Sequence, residues 1–101
     1  MDFKLSTAQE ICYELGQRLK TQRLAKNVKQ QELAEQAGIS VGTVKNLESK
    51  GQASLENWIR IIIALDLTQD LEALFTLKIR SISEMEKMEK LKSNKISRRA
   101  R

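Results

Sequence analysis

The stretch QQELAEQAGISVGTVKNLE, residues 30–48, decides the fold of this chain. Its apolar residues recur at helical spacing on both sides of Gly38, and glycine readily adopts the positive φ that a tight turn between two helices requires. Ser40 follows two residues later and can cap the next helix through its hydroxyl oxygen. The stretch therefore predicts a helix over Gln30–Gln36, a tight turn, and a second helix over about Val41–Ser49.

The second of these helices has two different faces. Val44 and Leu47 are apolar and three residues apart, which places both on the side that packs towards a core. The remaining residues of its first turns point outwards or sideways: Val41, Gly42, Thr43, Lys45 and Asn46. The pattern predicts a helix that is anchored on one face and presents its N-terminal half to the outside.

Helix caps predict three further helices around this pair. Thr7 with Glu10 three residues later is the pattern of a capping box, in which each side chain satisfies a free amide of the first turn. The three predicted helices begin after Thr7, Ser54 and Thr68 and end near Asn27, near Leu65, and near Phe75 or Leu77. The sequence thus predicts an all-α domain of five helices over residues 1–77.

The predicted fourth helix carries more apolar side chains than one buried face requires. Trp58, Ile61 and Leu65 form one apolar stripe, and a second stripe adjoins it. In a domain this small, part of such a surface stays exposed unless a partner covers it. We expect Trp58, Ile61 and Leu65 to form the contact of a homodimer, with simple packing beneath the fifth helix as the alternative.

Residues 78–101 form a separate, basic region. They carry nine lysines and arginines against three glutamates, whereas residues 1–77 are close to neutral. A capping-box pattern that starts at Ser83 predicts a helix near 84–92, and the basic sequence that follows it predicts disorder. This tail either has a partner of its own or is a solvated extension that adds non-specific contacts to phosphates.

The composition excludes several kinds of site. The chain has no histidine and a single cysteine, Cys12, which excludes Cys–His zinc sites, Ser–His–Asp triads and internal disulfides. We therefore predict no metal, no cofactor and no enzyme activity. No apolar run is long enough to span a bilayer, and the N-terminus lacks the pattern of a secretory leader, which together predict a cytoplasmic protein.

Residues 15–75 resemble the XRE or Cro/CI-like helix-turn-helix repressors of phages and bacteria. The resemblance rests on LGQRLKTQRLAKNVKQQELAEQAGISVGTVKNLES at 15–49 and on SLENWIRIIIALDL at 54–67. It implies a lambda-repressor-like fold with the helix-turn-helix motif at about residues 30–49. In such a motif the first helix braces against the DNA backbone, and the second, the recognition helix, presents its N-terminal residues to the major groove.

The resemblance also implies which residues contact DNA. Gln30 falls where the family keeps a glutamine that binds a phosphate, and Asn46 falls at a base-reading position, where its amide can pair with adenine. Arg23 and Glu48 match an ion pair that ties the first helix to the end of the recognition helix. The predicted DNA-binding residues are Gln30, Ser40, Val41, Gly42, Thr43, Lys45, Asn46 and Lys50.

Some of these positions depart from the family pattern or admit a second interpretation. Lys29 stands where the family usually has a Thr, Ser or Asn cap, and Gly42 offers no side chain to a base. Lys45 and Lys50 also fit the alternative of ordinary solvated surface lysines. Val41 is as consistent with a partly exposed apolar residue as with a contact to a thymine methyl group.

The expected partner is double-stranded DNA, bound by a homodimer on an inverted repeat, and the expected role is repression. The alternative is an antitoxin that represses its own operon and also neutralises a HipA-like serine/threonine kinase toxin, because small proteins of this family with a short charged extension resemble such antitoxins. A pure interaction module is a third possibility, and it would show no sequence preference on DNA.

Overall fold

The computed structural model describes residues 1–78 and 81–99, with side chains up to residue 93 in the second range. Every regular element within these residues is helical, which confirms the predicted all-α fold. A 3-10 helix at Phe3–Leu5 precedes the α-helices, which are α1 (Ala8–Ala25), α2 (Gln30–Ala37), α3 (Val41–Lys50), α4 (Leu55–Ala64), α5 (Gln69–Glu72) and α6 (Ile82–Arg99).

The N-terminus of α1 is closed by the predicted capping box. Thr7 Oγ1 accepts a hydrogen bond from the Glu10 amide at 3.1 Å, and the Glu10 carboxylate accepts one from the Thr7 amide at 2.9 Å. The Thr7 backbone amide, helped by its hydroxyl, holds the pKa of Glu10 below its ordinary value. After α1 ends, Asn27 adopts a positive φ of 56°, which reverses the chain towards α2 as predicted.

The core lies among α1, α2, α3 and α4. Its buried side chains are all aliphatic and pack together in one cluster to which each of the four helices contributes: Leu19, Leu33, Ala34, Ala37, Val44, Leu47, Ile61 and Leu65. Burying one large aliphatic side chain contributes about 1.5–3 kcal/mol, so this cluster is what holds the four helices together.

The predicted dimer contact on α4 is wrong for two of its three residues. Ile61 and Leu65 are each only 1% exposed, since both point into the core, and neither has surface to offer a partner. Trp58 is half-buried and packs against the same core. The stripe packs inside the domain, but chiefly against α2 and α3, so the alternative prediction of packing beneath the fifth helix does not describe it either.

Two glycines let α1 approach the C-terminal end of α3 closely. A Cβ atom at Gly16 would overlap the carbonyl oxygen of Leu47, and one at Gly51 would overlap the backbone of Cys12. Gly51 also has a positive φ of 67°, and it ends α3 as its C-cap. The orientation of α3 relative to α1 therefore depends on two positions that have no side chain.

The C-terminal elements differ from the sequence prediction. α5 spans only Gln69–Glu72, because the chain turns after it and Phe75 takes a positive φ of 61°. Thr68 precedes α5 but makes no side-chain cap. α6 continues to Arg99, past the predicted helix end near residue 92, through a segment that has neither glycine nor proline.

The start of α6 also differs from the prediction. Ser83 lies inside the helix and does not begin it. The cap is Ser81, whose hydroxyl oxygen accepts a hydrogen bond from the Glu84 amide at 3.2 Å. Within residues 1–78 and 81–99, no helix combines the length and the apolar character needed to cross a bilayer.

Candidate nucleic-acid interface

The turn between α2 and α3 has the geometry that its sequence predicts. Gly38 has a φ of 70°, and the Ile39 amide donates to the Ala34 carbonyl at 3.0 Å, which closes the end of α2. Ser40 Oγ then accepts from the Thr43 amide at 3.1 Å and lies 2.8 Å from Thr43 Oγ1. The hydroxyl groups of Ser40 and Thr43 thus serve first to hold the N-terminal turn of α3.

α3 is anchored by its inner face. Val44 and Leu47 have no exposed surface, and Glu48 is also buried. Since these three residues lie on one side of the helix, the opposite side must face outwards. The buried face of α3 therefore holds the helix in place, while its outer face takes no part in the core.

The outer face of α3 carries the residues that the sequence predicted for base reading. Val41 is 36% exposed, and Gly42, Lys45 and Asn46 are exposed as well, whereas Thr43 is half-buried. Ser49 Oγ bonds back to the Lys45 carbonyl at 2.7 Å, which orders the last turn. An amide, an ammonium group and a small apolar side chain are thus presented within two turns of one helix.

The Arg23–Glu48 pair lies beneath this face. Arg23 Nε donates to Glu48 Oε2 at 2.7 Å, and Arg23 Nη2 donates to Glu48 Oε1 at 3.0 Å. Arg23 Nη1 reaches the Val28 carbonyl at 2.8 Å, and both charged side chains are more than nine-tenths buried. A buried pair with two parallel bonds fixes the angle between its helices, because any rotation would break both bonds at once.

Gln30 joins the same network and extends it to α2. Its Nε2 donates to Glu48 Oε1 at 3.0 Å, so one carboxylate holds groups from α1 and α2 at the end of α3. An amide nitrogen carries two N–H donors, and one remains for a ligand. We name Arg23, Gln30 and Glu48 the three-helix network.

One member of this region was missed by sequence reasoning. Gln17 Nε2 donates to the main-chain carbonyl of Glu48 at 2.7 Å, which adds a second tie between α1 and α3. No pattern in the sequence marks Gln17, because its role depends on the close approach of the two helices at Gly16.

The N-terminus of α2 is capped in a different way from the one the family pattern suggests. The Lys29 side chain makes no cap bond, and the Glu32 carboxylate accepts from the Lys29 amide at 3.3 Å instead. Lys50, at the other end of the motif, is exposed beside Gly51. Within the described residues, no cluster of acidic or cysteine side chains could ligate a metal ion.

These features define a helix-turn-helix unit: a short supporting helix, a glycine turn, and a second helix that is anchored on one face and open on the other. Comparison with known proteins agrees with the geometry. The pattern of the helix-turn-helix family matches residues 19–70, just over half of the chain. The chain belongs to this family, in its XRE branch, and is a DNA-binding transcription regulator. No curated protein matches it.

Proposed function

We propose that this protein is a transcriptional repressor that recognises a specific double-stranded DNA sequence through the N-terminal half of α3. The observation that carries the proposal is the division of α3 into a fully buried face at Val44 and Leu47 and an exposed face at Val41, Gly42, Lys45 and Asn46. A helix with this arrangement can enter the major groove without disturbing the core.

Each exposed side chain supports a particular kind of contact. The Asn46 amide matches the donor and acceptor edge of adenine, and the Val41 side chain matches a thymine methyl group. Gly42 adds no hydrogen-bonding group but lets the helix backbone approach the bases. Base recognition by this helix therefore depends most strongly on Asn46.

Phosphate contacts would hold the motif in place. One N–H of the Gln30 amide donates to Glu48, and the second could donate to a phosphate. Lys45 and Lys50 carry exposed ammonium groups that could pair with phosphates. The hydroxyl groups of Ser40 and Thr43 lie at the N-terminus of α3 and can also reach the phosphates of the DNA backbone. Residues 1–77 have no net basic charge, so the domain as a whole does not attract DNA strongly. These individual phosphate contacts therefore matter more for binding.

We also propose that two copies bind together on an inverted repeat. One recognition helix with a few phosphate contacts is a small interface, while specific binding is typically about 10⁻⁸ M or tighter at physiological salt. Two copies related by a twofold axis read two half-sites about one helical turn apart. Occupation of a promoter by such a dimer represses transcription without any catalytic group, and its own operon is the simplest target.

The test is the Asn46→Ala substitution, measured by fluorescence anisotropy on an operator that is first selected from random DNA. We expect a loss of about 1–3 kcal/mol in binding to the operator and almost no change on unrelated DNA. Gln69→Ala is the control, since Gln69 is an exposed amide on α5. Equal losses on both DNAs would show that Asn46 does not read a base.

A second function is favoured by α6. Ile82, Met85 and Leu91 are exposed along a helix whose region is rich in lysine and arginine, and exposed apolar side chains among basic ones suit a protein partner. The partner we propose is a HipA-like serine/threonine kinase, with this protein acting as its antitoxin. Co-expression with a kinase encoded beside it tests this, and Ile82→Glu should abolish co-purification while leaving operator binding intact.

A further inference from the structure

The outward face of α4 is apolar, although the core uses the opposite face. Leu55 and Ile63, at the two ends of the helix, are 75% and 59% exposed, and Ile59 between them is half-buried. The three residues are spaced by four, which aligns them on one side of the helix. We name Leu55, Ile59 and Ile63 the outer stripe.

A row of charges runs along one flank of the outer stripe. Glu56 and Arg60 each follow a stripe residue by one position, and Arg60 Nε lies 3.3 Å from Glu56 Oε2. The Glu56 side chain is largely exposed, and that of Arg60 is about half exposed. The flank thus presents one negative and one positive group, four residues apart, beside the apolar surface.

This arrangement is complementary to itself. When two copies of α4 pack antiparallel about a twofold axis through Ile59, Leu55 of one copy meets Ile63 of the other at each end. The axis also brings the charged flanks to the same side of the pair. Glu56 of each copy then lies within about one helical turn of Arg60 of its partner, since the two residues stand on opposite sides of the centre.

We propose that a second copy of this chain covers the outer stripe, in an antiparallel pairing of the two α4 helices. The inference rests on the proposed dimer and assigns it a surface, on the side of α4 opposite to the one that the sequence predicted. The charges favour this occupant, because one surface that carries both signs allows Glu56 of each copy to pair with Arg60 of the other across a twofold axis.

The first experiment measures mass by sedimentation velocity over a dilution series of the full chain. The wild type should dimerise, and Leu55→Glu should raise the dimer Kd by at least about 100-fold, because it buries two unpaired carboxylates. Ile59→Glu should do the same, with circular dichroism to confirm the fold. Leu24→Glu is the matched control, since Leu24 is 54% exposed on α1. A dimer that survives both α4 variants overturns the proposal.

The second experiment tests the charged flank. Glu56→Arg and Arg60→Glu should each weaken the homodimer, because like charges then face each other across the axis. An equimolar mixture of the two variants should form a heterodimer about as well as the wild type forms its homodimer. The bond within one helix cannot explain such a rescue, since each variant chain still lacks it; failure of the mixture to associate overturns the proposed pairing.

DNA binding separates this inference from the proposed function. Leu55→Glu should still distinguish a single half-site from scrambled DNA, but should lose the extra affinity that the wild type gains on the full inverted repeat. If the wild type itself shows no preference for the half-site, the proposed base reading fails. If the variant keeps the full gain on the inverted repeat, the interface is elsewhere.

Discussion

An arginine and a glutamate pair in two regions of this molecule, and the regions differ in what the pair can do. In the three-helix network, Arg23 and Glu48 are almost fully buried and share two bonds of 2.7 Å and 3.0 Å. On α4, Glu56 and Arg60 are exposed and lie 3.3 Å apart within one helix. The first pair joins distant parts of the chain, whereas the second joins neighbours that the helix already holds together.

The difference shows how burial changes the role of the same chemical groups. A buried carboxylate that loses its partner cannot bond to water instead. Any arrangement of α1 and α3 that separates Arg23 from Glu48 is therefore much less stable. An exposed pair exchanges partners with water at little cost and remains available to a second molecule. One region therefore fixes the recognition helix, and the other is free to serve an interface.

The largest expected effect comes from removing one carboxylate from each region and comparing the two losses of stability. Glu48→Ala leaves Arg23 buried without its partner, and we expect the free energy of unfolding to fall by about 3–5 kcal/mol. Glu56→Ala should lower it by about 0.5 kcal/mol or less. Urea denaturation of the two variants, at a protein concentration low enough for each to be monomeric, measures both values, and equal losses would show that burial does not distinguish the pairs.

Two glycines allow a second comparison, between the close contact of α1 with α3 and the exposed face of α3. Gly16→Ala pushes a methyl group into the Leu47 carbonyl, so we expect a loss of about 1–3 kcal/mol in stability. Gly42→Ala is the control on the outer face of α3, where a Cβ would meet only Ser40 Oγ at 3.8 Å. Alanine there should stabilise the helix by up to about 1 kcal/mol, and thermal unfolding would reveal the opposite signs.

The smallest expected effect concerns Glu10, a fully exposed carboxylate whose pKa is lowered by the Thr7 amide. A lowered pKa in the folded state means that the capping box stabilises the protein above the ordinary value of 4.5. That contribution is lost as the pH falls through the folded-state pKa. Glu10→Gln does not titrate, so its stability difference from the wild type should shrink in acid; a difference that stays constant with pH would contradict this.

Local signals in the sequence predicted most of the scaffold. The hydroxyl caps at Thr7, Ser40 and Ser54 mark where α1, α3 and α4 begin, and Gly38 marks the turn. These signals succeed because a cap or a positive φ depends only on residues a few positions away. The DNA-binding residues that were predicted on α3 lie on its outer face, except for Thr43 and Ser40, whose hydroxyl groups bond to each other.

The errors arose where the outcome depends on long-range packing. The apolar residues of α4 permit several inward faces, and only the positions of α1, α2 and α3 select the one at Ile61 and Leu65. Likewise, Gln17 acquires its bond to α3 because Gly16 lets the two backbones approach. The end of α5 and the start of α6 were also missed, since Thr68 makes no side-chain cap and two serines, Ser81 and Ser83, each stand three residues before a glutamate.

Gly42 is a position on the exposed face of α3 that contributes no side chain to recognition and could be given one. The position faces outwards in the middle of the proposed base-reading surface, and its surroundings accept a side chain without moving the helix. A single codon change there can introduce a new hydrogen-bonding group while the three-helix network beneath it stays intact. Target choice and structural integrity are thus separable in this molecule, which makes it a suitable scaffold for the selection of regulators with altered operators.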